Sequence, residues 1–104
     1  VGDVVVIRQE KETELRRIVA RAGDVVDITE EGLSVNGYIQ QEDDIYMETL
    51  PYSEGITFPV TVGKNQVFLL GDNRSSARDS RIYGPVDIAT IKGNVMTIMR
   101  RRNL

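Results

Sequence analysis

Apolar residues in this chain occur in short runs rich in β-branched side chains, and no long stretch keeps the period of a helix. Such runs are typical of β-strands, because branched side chains fit the pleated surface of a sheet. The pattern predicts strands at residues 4–7, 18–20, 25–28, 60–62, 67–70 and 91–99.

The polar segments between these runs predict the turns. Asn36 and Gly37 both tolerate a positive φ, so they predict a hairpin with a type I′ turn, and a second turn is expected at residues 30–32. Residues 40–55 have no clean period and favour an acidic, solvated loop. A short helical turn capped by Asp87 is expected before the last strand.

These elements predict an all-β fold of antiparallel strands coiled into a partly closed barrel. No repeat and no Gly/Ser-rich linker divides the chain, so residues 1–104 are predicted to form a single domain. With 104 residues, of which 40% are hydrophobic, the chain can bury one modest core.

Composition excludes several kinds of chemistry. The chain has no histidine and no cysteine, which excludes a Ser-His-Asp arrangement, a thiol nucleophile and a zinc site built on either residue. A net charge of -3 argues against nucleic acid as a partner. Asp43 and Asp44 alone are weak grounds for a metal site, so no metal or cofactor is expected.

The most informative segment, residues 71–84, follows a strand that the pattern predicts to be buried. It holds four charged side chains between two glycines, and such charges must pair or remain solvated. One interpretation is a solvated hairpin loop with surface ion pairs, and the other is a functional site. The charged residues are Asp72, Arg74, Asp79 and Arg81.

A family resemblance favours the second interpretation. Residues 71–84 resemble the last signature of type I signal peptidases, a Gly-Asp-Asn-Arg sequence followed by Asp-Ser-Arg and a glycine. Residues 16–24 resemble the family's Lys-Arg-Val segment that ends in Gly-Asp, and residues 1–6 are similar to its Gly-Asp-hydrophobic strand. The signatures occur in the family's order over nearly the whole chain.

The resemblance implies a membrane-anchored serine endopeptidase that removes signal peptides from exported proteins, with a serine nucleophile and a lysine general base. Its domain would lie on the extracytoplasmic side. The family's nucleophile segment and anchor precede the position of Val1, so this chain is expected to be a soluble fragment without them. No run approaches the roughly 20 apolar residues of a spanning helix.

The base position carries Arg16 instead of lysine. A guanidinium stays protonated in proteins, so Arg16 cannot act as a general base at neutral pH. Lys11 is rejected as a substitute, because using it would break the match of Arg17 and place the side chain on the opposite face of a strand. Ala77 stands where many members carry a serine that orients the lysine. The chain as given is therefore expected to be inactive.

The other matching residues are expected to support the site. By the resemblance, Arg17 pairs with Asp72, and Asp79 pairs with Arg81, which holds the catalytic segments together. Three residues before the base position would form a strand edge that binds an extended peptide by strand addition. These are Thr13, Glu14 and Leu15, although Leu15 could be a core residue and Glu14 a solvent-facing charge.

Two functions therefore remain open from the sequence. In the first, the whole protein is a signal peptidase, and Arg16 is an inactivating substitution or a misaligned position. In the second, the protein is a non-catalytic relative that binds an extended secreted peptide or assists the assembly of a surface structure. The second accounts for Arg16 and Ala77 together.

Overall fold

The computed structural model describes residues 4–9, 12–42, 45 and 48–94; for residues 8, 9, 12, 13 and 92–94 only the backbone is considered. Within these ranges the regular secondary structure is almost entirely β. The strands are β1 (Val4–Gln9), β2 (Glu12–Arg21), β3 (Val25–Thr29), β4 (Gly32–Val35), β5 (Tyr38–Ile39), β6 (Val60–Thr61), β7 (Gln66–Leu70), β8 (Val86–Asp87) and β9 (Ile91–Asn94). A single-turn helix, α1 (Ser80–Tyr83), and a 3₁₀ helix, Ile88–Thr90, complete them.

The strands form two antiparallel sheets. The first has five strands in the order β8-β7-β2-β1-β9, and the second has four in the order β5-β4-β3-β6. The turn after β2 joins them, because the Gly23 amide donates to the Val62 carbonyl and the Val62 amide donates to the Asp24 carbonyl. Together the sheets form the expected half-closed, barrel-like β fold.

The main core lies between the two sheets. Val19 and Ala20 of β2 pack there with Phe68 and Leu70 of β7 against apolar residues of β3 and β4. A smaller cluster covers the other face of the five-stranded sheet. It contains Val5, Ile7, Val67 and Leu69, with Ile18, Val86 and Ile91 packed against it. Strand β7 is buried on both faces, which explains its continuous apolar sequence.

The predicted strands are confirmed where the structure describes them. Residues 1–3 of the first signature and residues 95–99 of the last predicted strand lie outside the described part, as do Lys11, Asp43 and Asp44. The helical turn before β9 is confirmed as the 3₁₀ helix. Asp87 occupies the N-cap position, as predicted, but its side chain makes no capping hydrogen bond. Helix α1 was not anticipated, because one turn is too short to show a period.

The hairpin between β4 and β5 has the turn that the sequence predicts. Asn36 has φ 53° and Gly37 has φ 86°, the two positive angles of a type I′ turn. The Asn36 side chain also accepts from the Val25 amide at 2.8 Å, which fixes the hairpin to β3. The turn is therefore held by its backbone conformation and by one side chain.

Replacing Gly37 tests the backbone contribution. A Cβ at this position would meet no atom within 4 Å, so the cost comes from the positive φ alone. We expect Gly37→Ala to lower the free energy of unfolding by about 1 kcal/mol in urea denaturation. Gly37→Asn is the matched control and should lose clearly less, since asparagine tolerates this region. Equal losses would contradict the assignment.

Candidate functional site

Strand β2 places alternate side chains on its two faces. Leu15 and Arg17 share the face that turns toward the core between the sheets, because Arg17 pairs with Leu70, which belongs to that core. Glu14 and Arg16 lie on the other face with Ile18, which packs on the smaller cluster. The residues of the second signature are thus divided between two environments.

Arg17 and Asp72 form the first expected ion pair. Nε of Arg17 donates to Oδ1 of Asp72 at 2.9 Å and Nη2 donates to Oδ2 at 2.8 Å, a bidentate arrangement. These hydrogen bonds are the main reason that the pKa of the Asp72 carboxyl lies below its ordinary value of 3.8, although partial burial acts in the opposite direction. The pair joins β2 to the segment that follows β7.

Asp79 and Arg81 form the second expected pair, and both side chains are completely buried. The Asp79 carboxylate accepts from Nε and Nη2 of Arg81, at 2.9 and 2.8 Å. It also accepts from the backbone amides of Gly71 and Arg81, so it caps α1 and holds the end of β7 at the same time. A buried charge so fully hydrogen-bonded fixes the shape of the whole segment.

Arg74 has partners that the sequence did not reveal. Its buried guanidinium donates to both carboxylate oxygens of Glu42, at 2.6 and 2.8 Å, and to Thr49 Oγ1 at 2.7 Å. Its Nε donates to the Gly71 carbonyl. Both Glu42 and Thr49 belong to the acidic segment predicted to be a solvated loop.

That prediction is therefore wrong for part of the segment. Tyr52 lies under Arg81, with the guanidinium carbon 4.2 Å from the ring centroid, and its hydroxyl donates to the Ala77 carbonyl at 2.8 Å. The Leu50 carbonyl accepts from Arg81 Nη1. The described residues of the segment, 40–42, 45 and 48–55, form no helix or strand, yet they form one wall of the site. Arg74 and Arg81 need more hydrogen-bond acceptors than Asp79 supplies. That need was the signal in the sequence that could have indicated a second wall.

Arg16 lies against the segment that follows β7. A Cβ on Gly71 would overlap Ala77 and would lie 3.5 Å from Cδ and Nε of Arg16, so these three residues are in close approach. Nε and Nη2 of Arg16 donate to the Arg78 carbonyl at 3.1 and 2.8 Å, and Nη1 donates to the Leu15 carbonyl at 2.7 Å. Nη2 also pairs with the Glu14 carboxylate. The guanidinium thus bridges β2 and the segment after β7.

A cleft of about 170 Å³ lies beside Arg16, lined by Val4, Leu15, Arg16, Arg17 and Asp72. Leu15 is 55% exposed, which excludes the core role left open by the sequence. Glu14 is not a free solvent-facing charge, since it pairs with Arg16. Thr13 lies in β2 opposite Arg8, but its side chain is outside the description.

One edge of β2 is open next to this cleft. Strand β7 pairs with β2 only from Arg17 to Arg21, whereas β1 pairs with it along Glu12–Arg17. Over the described part of the chain, no strand pairs with the second edge of residues 12–16. The open edge and the cleft together have the form of a binding site for an extended peptide.

The comparisons with known proteins agree with this geometry. The family model described as "Signal peptidase, peptidase S26" matches residues 1–100. This chain belongs to the S26 signal peptidase family. The signatures at residues 16–24 and 71–84 therefore lie in a matched region, and the ion pairs described above are formed by residues of those signatures.

Curated relatives carry the same family name or a related one. Thylakoidal processing peptidase 1 of Arabidopsis thaliana is 40% identical, over 76% of this chain and 22% of its own length. Signal peptidase IB of Staphylococcus aureus is 31% identical, over 90% of this chain and 57% of its own length. The chain thus spans between about a fifth and somewhat more than half of the curated relatives it matches.

The fold is shared with a solved structure. The crystal structure of a signal peptidase I from Enterococcus faecalis V583 superposes with a TM-score of 0.73, covering 90% of this chain and 93% of that one at 23% identity. The similarity confirms the all-β fold of the S26 family. In the described ranges no helix has the length and apolar character needed to cross a membrane, and no group of three or more acidic side chains is arranged there to hold a metal ion.

The Arg17–Asp72 pair gives a pH-dependent part of the stability. Because the folded-state pKa of Asp72 is lowered, this contribution is present above the unfolded value of 3.8 and is lost as the pH falls through the folded value. We expect the difference in unfolding free energy between the parent and Asp72→Asn to be constant near neutral pH and to shrink below about pH 4. Urea denaturation over a pH series measures it.

The control for that series is Arg17→Gln, which removes the cause of the lowered pKa. The same shrinking difference should then appear between the parent and this variant. A difference that stays constant down to about pH 2 would show that the pair contributes nothing that depends on Asp72 ionisation.

The buried pair makes a second prediction. Asp79→Asn leaves the Arg81 guanidinium buried without a counter-charge, which should cost about 3–5 kcal/mol of unfolding free energy. Asp87→Asn, at an exposed carboxylate, is the matched control and should change it by less than about 0.5 kcal/mol. Adding Arg81→Met to Asp79→Asn should recover part of the loss. If the double variant loses as much unfolding free energy as Asp79→Asn and Arg81→Met lose together, an uncompensated charge is not the cause.

Proposed function

We propose that this chain is the peptide-binding and site-supporting β domain of a signal peptidase of the S26 family. In this proposal an extended signal peptide of an exported protein binds along the open edge of β2, next to Leu15. The observation that carries it is the open edge beside a cleft, in a chain whose signatures belong to this family. The whole protein would act at the extracytoplasmic side of a membrane through an anchor outside these residues.

In the proposed mechanism, the family's serine attacks the scissile carbonyl and a neutral lysine accepts its proton. Arg17, Asp72, Asp79 and Arg81 would position the two segments on which these groups stand. Their ion pairs support that role, because they tie β2 and the segment after β7 together. No metal or cofactor takes part in the proposal.

Arg16 stands at the proposed position of the lysine. A guanidinium is not a general base in proteins, so the proton transfer from serine has no acceptor there. We therefore propose that the protein with Arg16 does not cleave. The small Ala77 side chain beside Arg16 also lacks the hydroxyl that would orient a lysine.

A non-catalytic peptide-binding protein is the second candidate, and one observation favours it. Arg16 is not an isolated exchange, since it donates to two backbone carbonyls and one carboxylate around it. A residue integrated in this way supports a natural loss of the base with the binding edge retained. Such a protein would bind an extended secreted peptide or assist the assembly of a surface structure.

Restoring the base distinguishes the two candidates. The longest natural chain that contains these residues would be tested for cleavage of a labelled signal-peptide substrate, with Arg16 and as Arg16→Lys. A positioned general base contributes about 10²–10⁴-fold, so a peptidase that lacks only its base should rise by at least about 100-fold. Adding Ala77→Ser to Arg16→Lys should raise turnover further.

Arg21→Lys is the matched control, because it makes the same exchange at an exposed position on the same strand. It should leave cleavage at the parent level. If neither Arg16→Lys nor its combination with Ala77→Ser cleaves the substrate, while both bind it, the result supports the non-catalytic function. Efficient cleavage by the parent with Arg16 would refute the assignment of this position as the base.

A further inference from the structure

The open edge of β2 is partly occupied by the chain itself. The Leu15 carbonyl accepts from Nη1 of Arg16 at 2.7 Å, and the same guanidinium reaches the Arg78 carbonyl in the segment after β7. The Leu15 carbonyl therefore points to the side of β2 that β7 leaves open. It is a main-chain acceptor that an added strand would use.

A peptide that continued along this edge would have to displace the guanidinium. The Arg16 side chain is only 10% exposed and is held from three directions, by Glu14, Leu15 and Arg78. An added strand could replace the hydrogen bond to the Leu15 carbonyl, but the two hydrogen bonds to the Arg78 carbonyl and the pairing with Glu14 would be lost. Strand addition past Leu15 is therefore opposed, whereas addition that stops there is not.

A guanidinium at the end of a strand edge is suited to a particular ligand group. Its planar fork of N–H donors matches the two oxygens of a carboxylate. Arg16 already binds one, since Nη2 pairs with the carboxylate of Glu14. The Glu14 side chain is 26% exposed, so it can turn into solvent when another carboxylate takes its place.

We propose that the β2 edge binds a peptide that ends at this point, with its free C-terminal carboxylate on Arg16 in place of Glu14. The inference rests on the proposed function, because it uses the same edge. Val4 and Leu15 in the neighbouring cleft offer apolar contact to the last side chain of the peptide. The ligand is then the product of a peptide-bond hydrolysis, which is the reaction that creates a new carboxylate within a secreted chain.

The test compares three forms of one labelled peptide rich in alanine and leucine. The first has a free C-terminal carboxylate, the second is its C-terminal amide, and the third continues with further alanines. Fluorescence anisotropy with the longest natural chain containing these residues gives the affinities. We expect the free acid to bind about tenfold more tightly than the other two, as a charge-assisted hydrogen bond would produce.

Two variants assign that preference to the proposed residues. Arg16→Gln should abolish the difference between acid and amide. Glu14→Gln removes the internal competitor, so it should strengthen binding of the acid several-fold while leaving the amide unchanged. Arg21→Gln is the matched control, with the same charge change at an exposed position, and should keep the full preference. Circular dichroism confirms that each variant is folded.

The outcomes separate this inference from the function on which it rests. If acid and amide bind equally well, or if the continued peptide binds most tightly, the carboxylate site is refuted while peptide binding at the edge remains. If none of the three forms binds, both the inference and the proposed binding edge are refuted. A preference for the acid that survives Arg16→Gln places the carboxylate elsewhere and also refutes the inference.

Discussion

The buried carboxylate of Asp79 is the group on which the rest of the site depends. It accepts hydrogen bonds from the Gly71 amide at the end of β7 and from the Arg81 amide in α1, and it neutralises the Arg81 guanidinium. A fully buried carboxylate is tolerated only when its oxygen atoms accept hydrogen bonds, so the backbone that donates to it has little conformational freedom. Asp79 thereby fixes the segment to the end of β7, while the Arg17–Asp72 pair and the hydrogen bonds of Arg16 to the Arg78 carbonyl fix it to β2.

The arginines of the segment extend that constraint to a distant part of the chain. Arg74 and Arg81 together need more acceptors than the segment supplies, and they find them at Glu42, Thr49 and the Leu50 carbonyl. The described residues of the acidic segment 40–55 are thereby fixed as a wall without forming helix or strand. Arg16 also joins two parts of the chain, because its N–H groups connect β2 to the Arg78 carbonyl.

Much of the candidate site could be predicted, because its two expected ion pairs join oppositely charged residues within the recognised signatures. Two arginines and two aspartates in matching signatures were enough to predict the pairs Arg17–Asp72 and Asp79–Arg81. The partners of Arg74 could not be predicted, since Glu42 lies 32 residues away in a segment without a period. The pairing of Glu14 with Arg16, in contrast, was accessible from local spacing, because residues two apart on a strand share a face.

The sequence alone determined the β class, the strands and the Asn36–Gly37 turn, since branched apolar runs and tolerance of positive φ are local properties. It also determined the chemical character of Arg16, because a guanidinium keeps its proton in any fold. Only the tertiary structure decided which edge of β2 stays open and which carbonyls Arg16 occupies. Those features depend on where β7 ends beside β2 and on how buried arginines find acceptors far along the chain, and neither is encoded in local spacing.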